Sequence, residues 1–171
     1  PSVTEQYAFY IFNSYDGHDY IGRVNLKNEK SLQGDWGMES SIGKMNVRAT
    51  AFWYRIHDYI LGISQPEISP MTHGANGVKM FDNIDGADML GASLQLGYDF
   101  RSGWTVSVNS TYTRGSDFDG NPLPLIPALK SNAKLRYEFS RNFVQAEVQA
   151  AAEQDRVDTF YGEIPTPGYT L

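Results

Sequence analysis

The stretch from Asp88 to Phe100 alternates without error: Leu90, Ala92, Leu94, Leu96, Tyr98 and Phe100 stand on one parity, and Met89, Gly91, Ser93, Gln95, Gly97 and Asp99 on the other. Successive strand side chains point to opposite faces, so this period of two predicts a β-strand with one apolar and one polar face. The pattern recurs along the chain. Arg101-Ser102-Gly103 reads as a turn into a strand over Trp104–Thr113, where Trp104, Val106, Val108 and Tyr112 oppose Thr105, Ser107, Asn109, Thr111 and Thr113. Leu129, Ala133, Leu135, Tyr137 and Phe139 oppose Lys130, Asn132, Lys134, Arg136 and Glu138, and after Ser140-Arg141-Asn142 the alternation resumes with Val144, Ala146, Val148, Ala150 and Ala152. Upstream, Leu32, Trp36 and Met38 oppose Ser31, Gln33, Asp35 and Glu39. A turn at 41–44 follows, and Met45, Val47, Ala49, Ala51 and Trp53 then oppose Asn46, Arg48 and Thr50. Six strands are predicted, with an uncertain seventh before Asn25.

The links carry a second signal. Short turns near 41–44, 101–103 and 140–142 alternate with long polar links near 64–77, 115–127 and 155–168. A chain that runs up and down, with tight turns at one rim and long loops at the other, gives this order, and transmembrane barrels are built that way. The apolar face has Leu and Ala at mid-strand and Trp104, Tyr98, Phe100, Tyr112, Tyr137 and Phe139 near strand ends, as membrane-interface girdles require. The predicted fold class is therefore all-β: an antiparallel up-and-down meander, a segment of a large transmembrane β-barrel. A soluble β-sandwich also alternates and stays open as an alternative at this point. Six or seven strands cannot close a barrel in lipid without leaving backbone groups unpaired, so the chain reads as a piece of something longer.

Composition narrows the function classes. A net charge of −6 over 171 residues argues against nucleic acid, and the absence of cysteine excludes disulfides and thiolate metal sites. No nucleophile elbow, phosphate-binding loop or dinucleotide fingerprint occurs, so no enzyme activity and no resident cofactor are expected. Asp117, Asp119 and Asn121 imitate the start of a calcium loop, but Pro122 and Ala128 stand where that loop needs Gly and Glu, and a turn is the better account. His57 reads as structural, near the top of a long strand. Met71 and His73, with Met80 beyond them, share one long link, and thioether and imidazole are ligands that copper accepts.

Several phrases together resemble the TonB-dependent receptors of the Gram-negative outer membrane: "PSVTEQY" (Pro1–Tyr7), "NLKNEKSLQGDWGME" (Asn25–Glu39), "ATAFWYRIHDYI" (Ala49–Ile60), "NIDGADMLGASLQLGY" (Asn83–Tyr98), "YTRGSDFDGNPLPLIPALKSNAKLRY" (Tyr112–Tyr137) and "TPGYTL". Asn28 stands where the family more often has Pro, and Ser93 where Glu is usual. The resemblance covers nearly the whole chain and implies that residues 1–171 form part of a 22-stranded barrel with a plugged lumen, with the plug domain and the last strands lying elsewhere. It also implies outer-membrane lipid as a partner, the TonB complex engaged through the plug, and TonB-dependent active uptake of a scarce nutrient: a ferric siderophore, haem, cobalamin or a metal such as copper. The substrate would be a small molecule or metal chelate met at the outer loops. Tyr10, Tyr15, His18, Arg114 and Asp119 are the candidate substrate-binding loop residues, and Met71 and His73 the candidate metal ligands. A passive porin or adhesin barrel, a soluble β-sandwich binding module and an outer-membrane enzyme are the rival readings.

Overall fold

A computed structural model describes residues 1–100, 102–159 and 161–171. After a short helix α1 (Val3–Tyr7) come β1 (Ile11–Asn13), β2 (His18–Ile21), β3 (Lys30–Ile42), β4 (Met45–His57), β5 (Ile60–Ser64), β6 (Val78–Asn83), β7 (Gly86–Asp99), β8 (Trp104–Asp117), β9 (Lys130–Phe139), β10 (Asn142–Ala151) and β11 (Tyr169–Thr170). They form two sheets. The larger has the order β11-β10-β9-β8-β7-β4-β3, antiparallel at every junction; the smaller has the order β1-β2-β6-β5 and one parallel junction, β2 with β6.

The large sheet is the predicted meander. The β5–β6 hairpin is a long excursion between β4 and β7, which are nonetheless wall neighbours paired from Met45↔Tyr98 to His57↔Gly86. The short turns fall where the spacing predicts them. Gly43 takes φ +62° and Gly103 φ +80°, left-handed values that glycine adopts without a Cβ clash. Of the predicted turn at 101–103, Arg101 lies outside the described residues.

Register turns each strand's alternation into rows across the wall. Ile42, Met45, Tyr98, Val106, Leu135 and Ala146 form one row; Ser40, Val47, Leu96, Val108, Ala133 and Val148 form the next. Trp36, Ala51, Ala92 and Tyr112 form a row nearer the long-loop end. At the short-turn end the Trp104 ring stacks on Tyr137 at 4.5 Å, and Tyr137 on Phe139 at 5.7 Å. Large side chains on this face stay exposed: Leu32 is 63% accessible, Trp36 57% and Val148 51%. A contiguous apolar surface of this size does not face water in a monomer. A 13-residue strand such as β4, at ~3.3 Å per residue and ~40° tilt, rises about 33 Å, enough to cross an apolar band of about 25 Å.

The opposite face is polar and laced across strands. Arg48 donates to Glu39 at 2.8 Å, Thr50 and Ser93 hydroxyls meet at 2.7 Å, and Lys134 lies 3.5 Å from Glu147. Phe52 also stands on this face, and its ring covers Gly91 on the neighbouring strand, where a Cβ would collide with it.

The buried apolar residues are Ala8, Tyr20, Leu26, Ile60, Val78, Ala87, Leu123 and Tyr161. Among the described residues, these stand in the small sheet, at the end of α1, in the links or in the first residues of β7, and none stands in the middle of the wall. A β-sandwich would bury the wall's apolar face in a core between sheets; here the core lies only at the long-loop end. The seventh strand anticipated before Asn25 is replaced by β1 and β2, which join the small sheet rather than the wall. The link predicted near 64–77 is flanked by β5 and β6, so it belongs to a folded cap.

Candidate functional site: the outer-loop cap

The small sheet, α1 and the link at 155–163 pack into one cap at the long-loop end. Ser2 caps α1 by accepting from the Glu5 amide at 3.2 Å, with the Glu5 carboxylate returning to the Ser2 amide. Gly22 and Arg23 amides donate to the carbonyls of Ala8 and Glu5, tying the helix to the end of β2. Tyr20 reaches from β2 over β6 to β5, where its ring lies against Gly62 and 5.0 Å from Phe81. A Cβ at Gly62 would stand 2.6 Å from the Tyr20 ring.

The centre of the cap is polar and buried. Lys79, on β6, is fully buried. Its ammonium donates to Asp16 Oδ2 at 2.8 Å and to the Tyr161 carbonyl at 2.7 Å, and sits 3.2 Å from the Tyr161 ring centroid. Tyr20 donates its hydroxyl to the same Asp16 oxygen at 2.7 Å and meets the Tyr161 hydroxyl. Burial pushes the Asp16 carboxyl up, but the hydrogen bonds from Lys79 and Tyr20 and the Lys79 charge outweigh it, so the group is held below the ordinary carboxyl range. Burial draws the Lys79 ammonium down. Two close oxygen acceptors and a π face nevertheless suit the charged form, so the pair is a buried salt bridge. Burial, together with the neighbouring Tyr161 hydroxyl and Asp16, raises the Tyr20 phenol, which stays protonated. Asp19, fully buried, accepts from the Met71 and Thr72 amides, each at 2.8 Å, through Oδ2, while its Oδ1 has no partner among the described residues. Three distant segments, around 16–20, at 79 and at 161, thus converge on one ion pair.

Beside this centre lies a cleft of about 550 Å³, bordered by Tyr15, Asp16, Asn76, Gln154, Glu163 and Thr166. Tyr15 stands at its edge, 87% exposed. His18 opens β2, and its Nδ1 donates to the Asp16 carbonyl at 2.8 Å. Tyr10 holds a left-handed backbone (φ +52°) and packs edge-on against Phe9. Asp119 is exposed in the turn at 117–121, whose geometry comes from Asp117 accepting from the Asn121 amide at 2.8 Å. Arg114 pairs in register with Leu90, in the row of Gly34 and Trp53, so it leaves β8 on the apolar parity of the wall. It borders a different cleft from Tyr15. Met71 and His73 are both exposed; the Met71 amide is held by Asp19, and Met80 lies on β6. Among the described residues no group of three His, Asp or Glu side chains gathers at metal-binding distance.

Sequence reading brought Tyr15 and His18 to the cap but missed the Asp16–Lys79–Tyr20–Tyr161 centre. The Ser2–Glu5 capping box was a local signal for α1. For the ion pair no local signal exists, since Asp16 and Lys79 are 63 positions apart.

The family model described as TonB dependent receptor-like, beta-barrel matches residues 1–171. Among solved structures, the copper transporter OprC superposes with a TM-score of 0.76 at 21% identity, covering 88% of this chain and 23% of that one. The siderophore receptor PirA from Acinetobacter baumannii gives 0.64 at 20% identity, covering 88% and 26%. The ferric yersiniabactin uptake receptor FyuA from Yersinia pestis gives 0.57 at 16% identity, covering 83% and 21%. At these identities the structural likeness speaks for the fold alone, and the chain spans about a quarter of each of these proteins. No curated relative matches it. With the family model matching from end to end, over a wall that is apolar outside and polar inside, the chain belongs to the TonB-dependent receptor β-barrel family and is a wall-and-loop segment of a bacterial outer-membrane barrel.

Proposed function

We propose that the protein bearing this chain takes up a scarce nutrient across the outer membrane, driven by the TonB complex acting on a plug domain outside these residues. The observation that carries this reading is the folded cap on the long-loop rim. Its core is locked by the Lys79–Asp16 pair, and its cleft opens between the β1–β2 turn and the 155–166 link. A passive pore gains nothing from a preformed concave surface at its outer mouth, whereas a receptor needs one to hold substrate before import. In this reading residues 1–171 form part of a larger plugged barrel. Tyr15, His18, Tyr10 and Asp119 are the loop residues assigned to substrate contact; Arg114, on the outer parity of β8 and beside a different cleft, is set apart from them. Tyr15 and His18 come first because they border or adjoin the cleft.

The substrate is a metal or metal chelate. The first neighbour described is a copper transporter, and Met71 and His73 on one exposed link offer the donor types that copper accepts; the other two neighbours are named for siderophore uptake. Whole-cell uptake of radiolabelled copper and of ferric chelates, with and without a protonophore, separates the readings. Uptake that needs both the receptor gene and the proton gradient supports TonB-dependent import. Uptake indifferent to the protonophore identifies a passive barrel instead.

A further inference from the structure

Of the chain's asparagines only Asn76 precedes a glycine. Asn76 and Gly77 close the long link at 64–77 and lead straight into β6. Together they clamp that strand to the β1–β2 turn. The Asn76 amide donates to the Gly17 carbonyl at 2.7 Å, and the Gly77 carbonyl accepts from the Asp19 amide at 3.0 Å. The Asn76 side chain lies over Gly17, where a Cβ would stand 2.5 Å from Nδ2, and Nδ2 donates to the Asp16 carbonyl at 3.2 Å. The clamp opens the register of β2 on β6, Asp19↔Val78 and Tyr20↔Lys79. It therefore sets where Lys79 meets Asp16.

The same pair is chemically labile. Asparagine amides are thermolabile, and three local features favour reaction at this one. The Asn76 side chain is exposed. The next residue has no Cβ to hinder the approach of its nitrogen to Cγ. The Gly77 amide, unlike those of Asn76 and Asp19, donates to no acceptor among the described residues, so no bond has to break before it attacks. Asn13 differs on each count that matters: it lies in β1, precedes Ser14, and binds the Tyr15 amide through Oδ1 at 3.0 Å.

We propose that Asn76–Gly77 is a site of spontaneous deamidation and isomerisation, a slow one-way clock that loosens the cap. The Gly77 amide gives its proton to hydroxide, and its nitrogen attacks Asn76 Cγ. The Cγ–Nδ2 bond breaks, ammonia leaves with a proton from water, and a succinimide ring closes. Water then adds to one ring carbonyl. Opening at Cγ gives aspartate; opening at the former main-chain carbonyl gives isoaspartate, whose backbone runs through Cβ and Cγ. In sum, one amide and one water become one carboxylic acid and one ammonia, with no oxidation or reduction. Isoaspartate adds a backbone atom between the Asn76 amide and the Gly77 carbonyl, so the chain cannot keep both bonds of the clamp. Either product also sets a new carboxylate at the border of the cap's cleft.

The test ages the full-length receptor in detergent at mildly alkaline pH and maps its peptides by mass spectrometry, with fragmentation that separates isoaspartate from aspartate. Position 76 converts at least about tenfold faster than Asn13, faster still as pH rises, and isoaspartate exceeds aspartate. Converted chains, separated by their extra negative charge on ion exchange, lose hydrogen-exchange protection over β2 and β6 by at least about tenfold, while β7 and β8 stay protected. Asn76→Gln, which would have to close a larger ring, keeps cap protection through the same ageing. Conversion at 76 no faster than at Asn13 overturns the site. Conversion that leaves β2 and β6 protected overturns its effect on the cap. An equal loss of protection in aged Asn76→Gln assigns the loosening to another lesion. Should that variant fail to assemble, the comparison of positions 76 and 13 and of converted with unconverted chains of the unsubstituted receptor decides.

Discussion

Replacing Lys79 with methionine keeps a chain of similar length but removes the ammonium that donates to Asp16 at 2.8 Å. The side chains concerned are 1% and 7% exposed, so water cannot take the place of the lost partner. Asp16 then retains the Tyr20 hydroxyl at 2.7 Å, the local His18 amide at 3.2 Å and the His18 ring nitrogen Nδ1 at 3.7 Å. The Tyr161 carbonyl loses its donor at the same time. Breaking one side of a buried pair costs about 3 kcal/mol or more. That loss falls on opening of the cap, because the wall does not pass through this centre. Native-state hydrogen exchange on the full-length receptor reads it directly. Amide protection over β2 and β6 should fall about 150-fold, the equivalent of about 3 kcal/mol, while β7 and β8 amides stay unchanged. Asp16→Asn should weaken the cap by a similar amount. The double variant should cost clearly less than the sum, since two neutral groups leave no uncompensated charge. The pH dependence follows the same pair. The Asp16 carboxyl lies below its ordinary value of 3.8 in the folded cap. Its contribution is therefore complete above that value and is lost as pH falls through the lower folded value, so protection stays flat on this account down to about pH 4 and drops below it. Additive single-variant losses, or equal losses in the wall, would refute the claim that this pair locks the cap.

Three further outcomes are expected. Leu94→Arg places a guanidinium on the lipid-facing row and should cost about 2–4 kcal/mol in barrel assembly, whereas Gln95→Arg, one residue on, faces the lumen and should be tolerated; folded fractions read by heat-modifiable gel mobility compare them, and equal losses would contradict the face assignment. Gly91→Val drives a side chain into the Phe52 ring and to within 2.8 Å of the Tyr112 carbonyl, so assembly should weaken by about 1–3 kcal/mol, and a simultaneous Phe52→Ala should restore part of the loss. Met71→Ala and His73→Ala should each weaken copper binding by the intact receptor in calorimetric titration; unchanged affinity would remove these two residues as ligands.

The wall was legible because its signal is local. Leu90 through Phe100 alternates in the sequence, the sheet keeps that parity in register, and lipid outside with water inside asks nothing more of the pattern. Strand ends were less legible. β8 runs to Asp117, beyond the Thr113 that alternation predicts, because pairing with β7 continues above the girdle, where lipid no longer selects apolar residues. The cap was hidden for a different reason. β1, β2, β5 and β6 are three to six residues long, too short for a period to emerge, and β2 finds β6 in parallel across the whole of β3 and β4. The key acid of the cap, Asp16, looks in sequence like a solvated loop carboxylate. Only the arrival of Lys79 and Tyr161 makes it the centre of a core. Arg114 shows the opposite gap: counted from the loop end it belongs with the outer links, and only its register opposite Leu90 reveals that it leaves the wall on the outer side.

The central claim is that alternate residues of this wall face lipid and a hydrated lumen. Single cysteines introduced in turn from Leu90 to Gly97 of the full-length receptor, spin-labelled in native outer membranes and compared with the unsubstituted receptor, test it most directly. Relaxation by oxygen, which concentrates in lipid, should peak at 90, 92, 94 and 96. Relaxation by a water-soluble nickel chelate should peak at 91, 93, 95 and 97. A strict alternation in antiphase is the predicted result; uniform accessibility along the strand, or water access at 92 and 94, would contradict it.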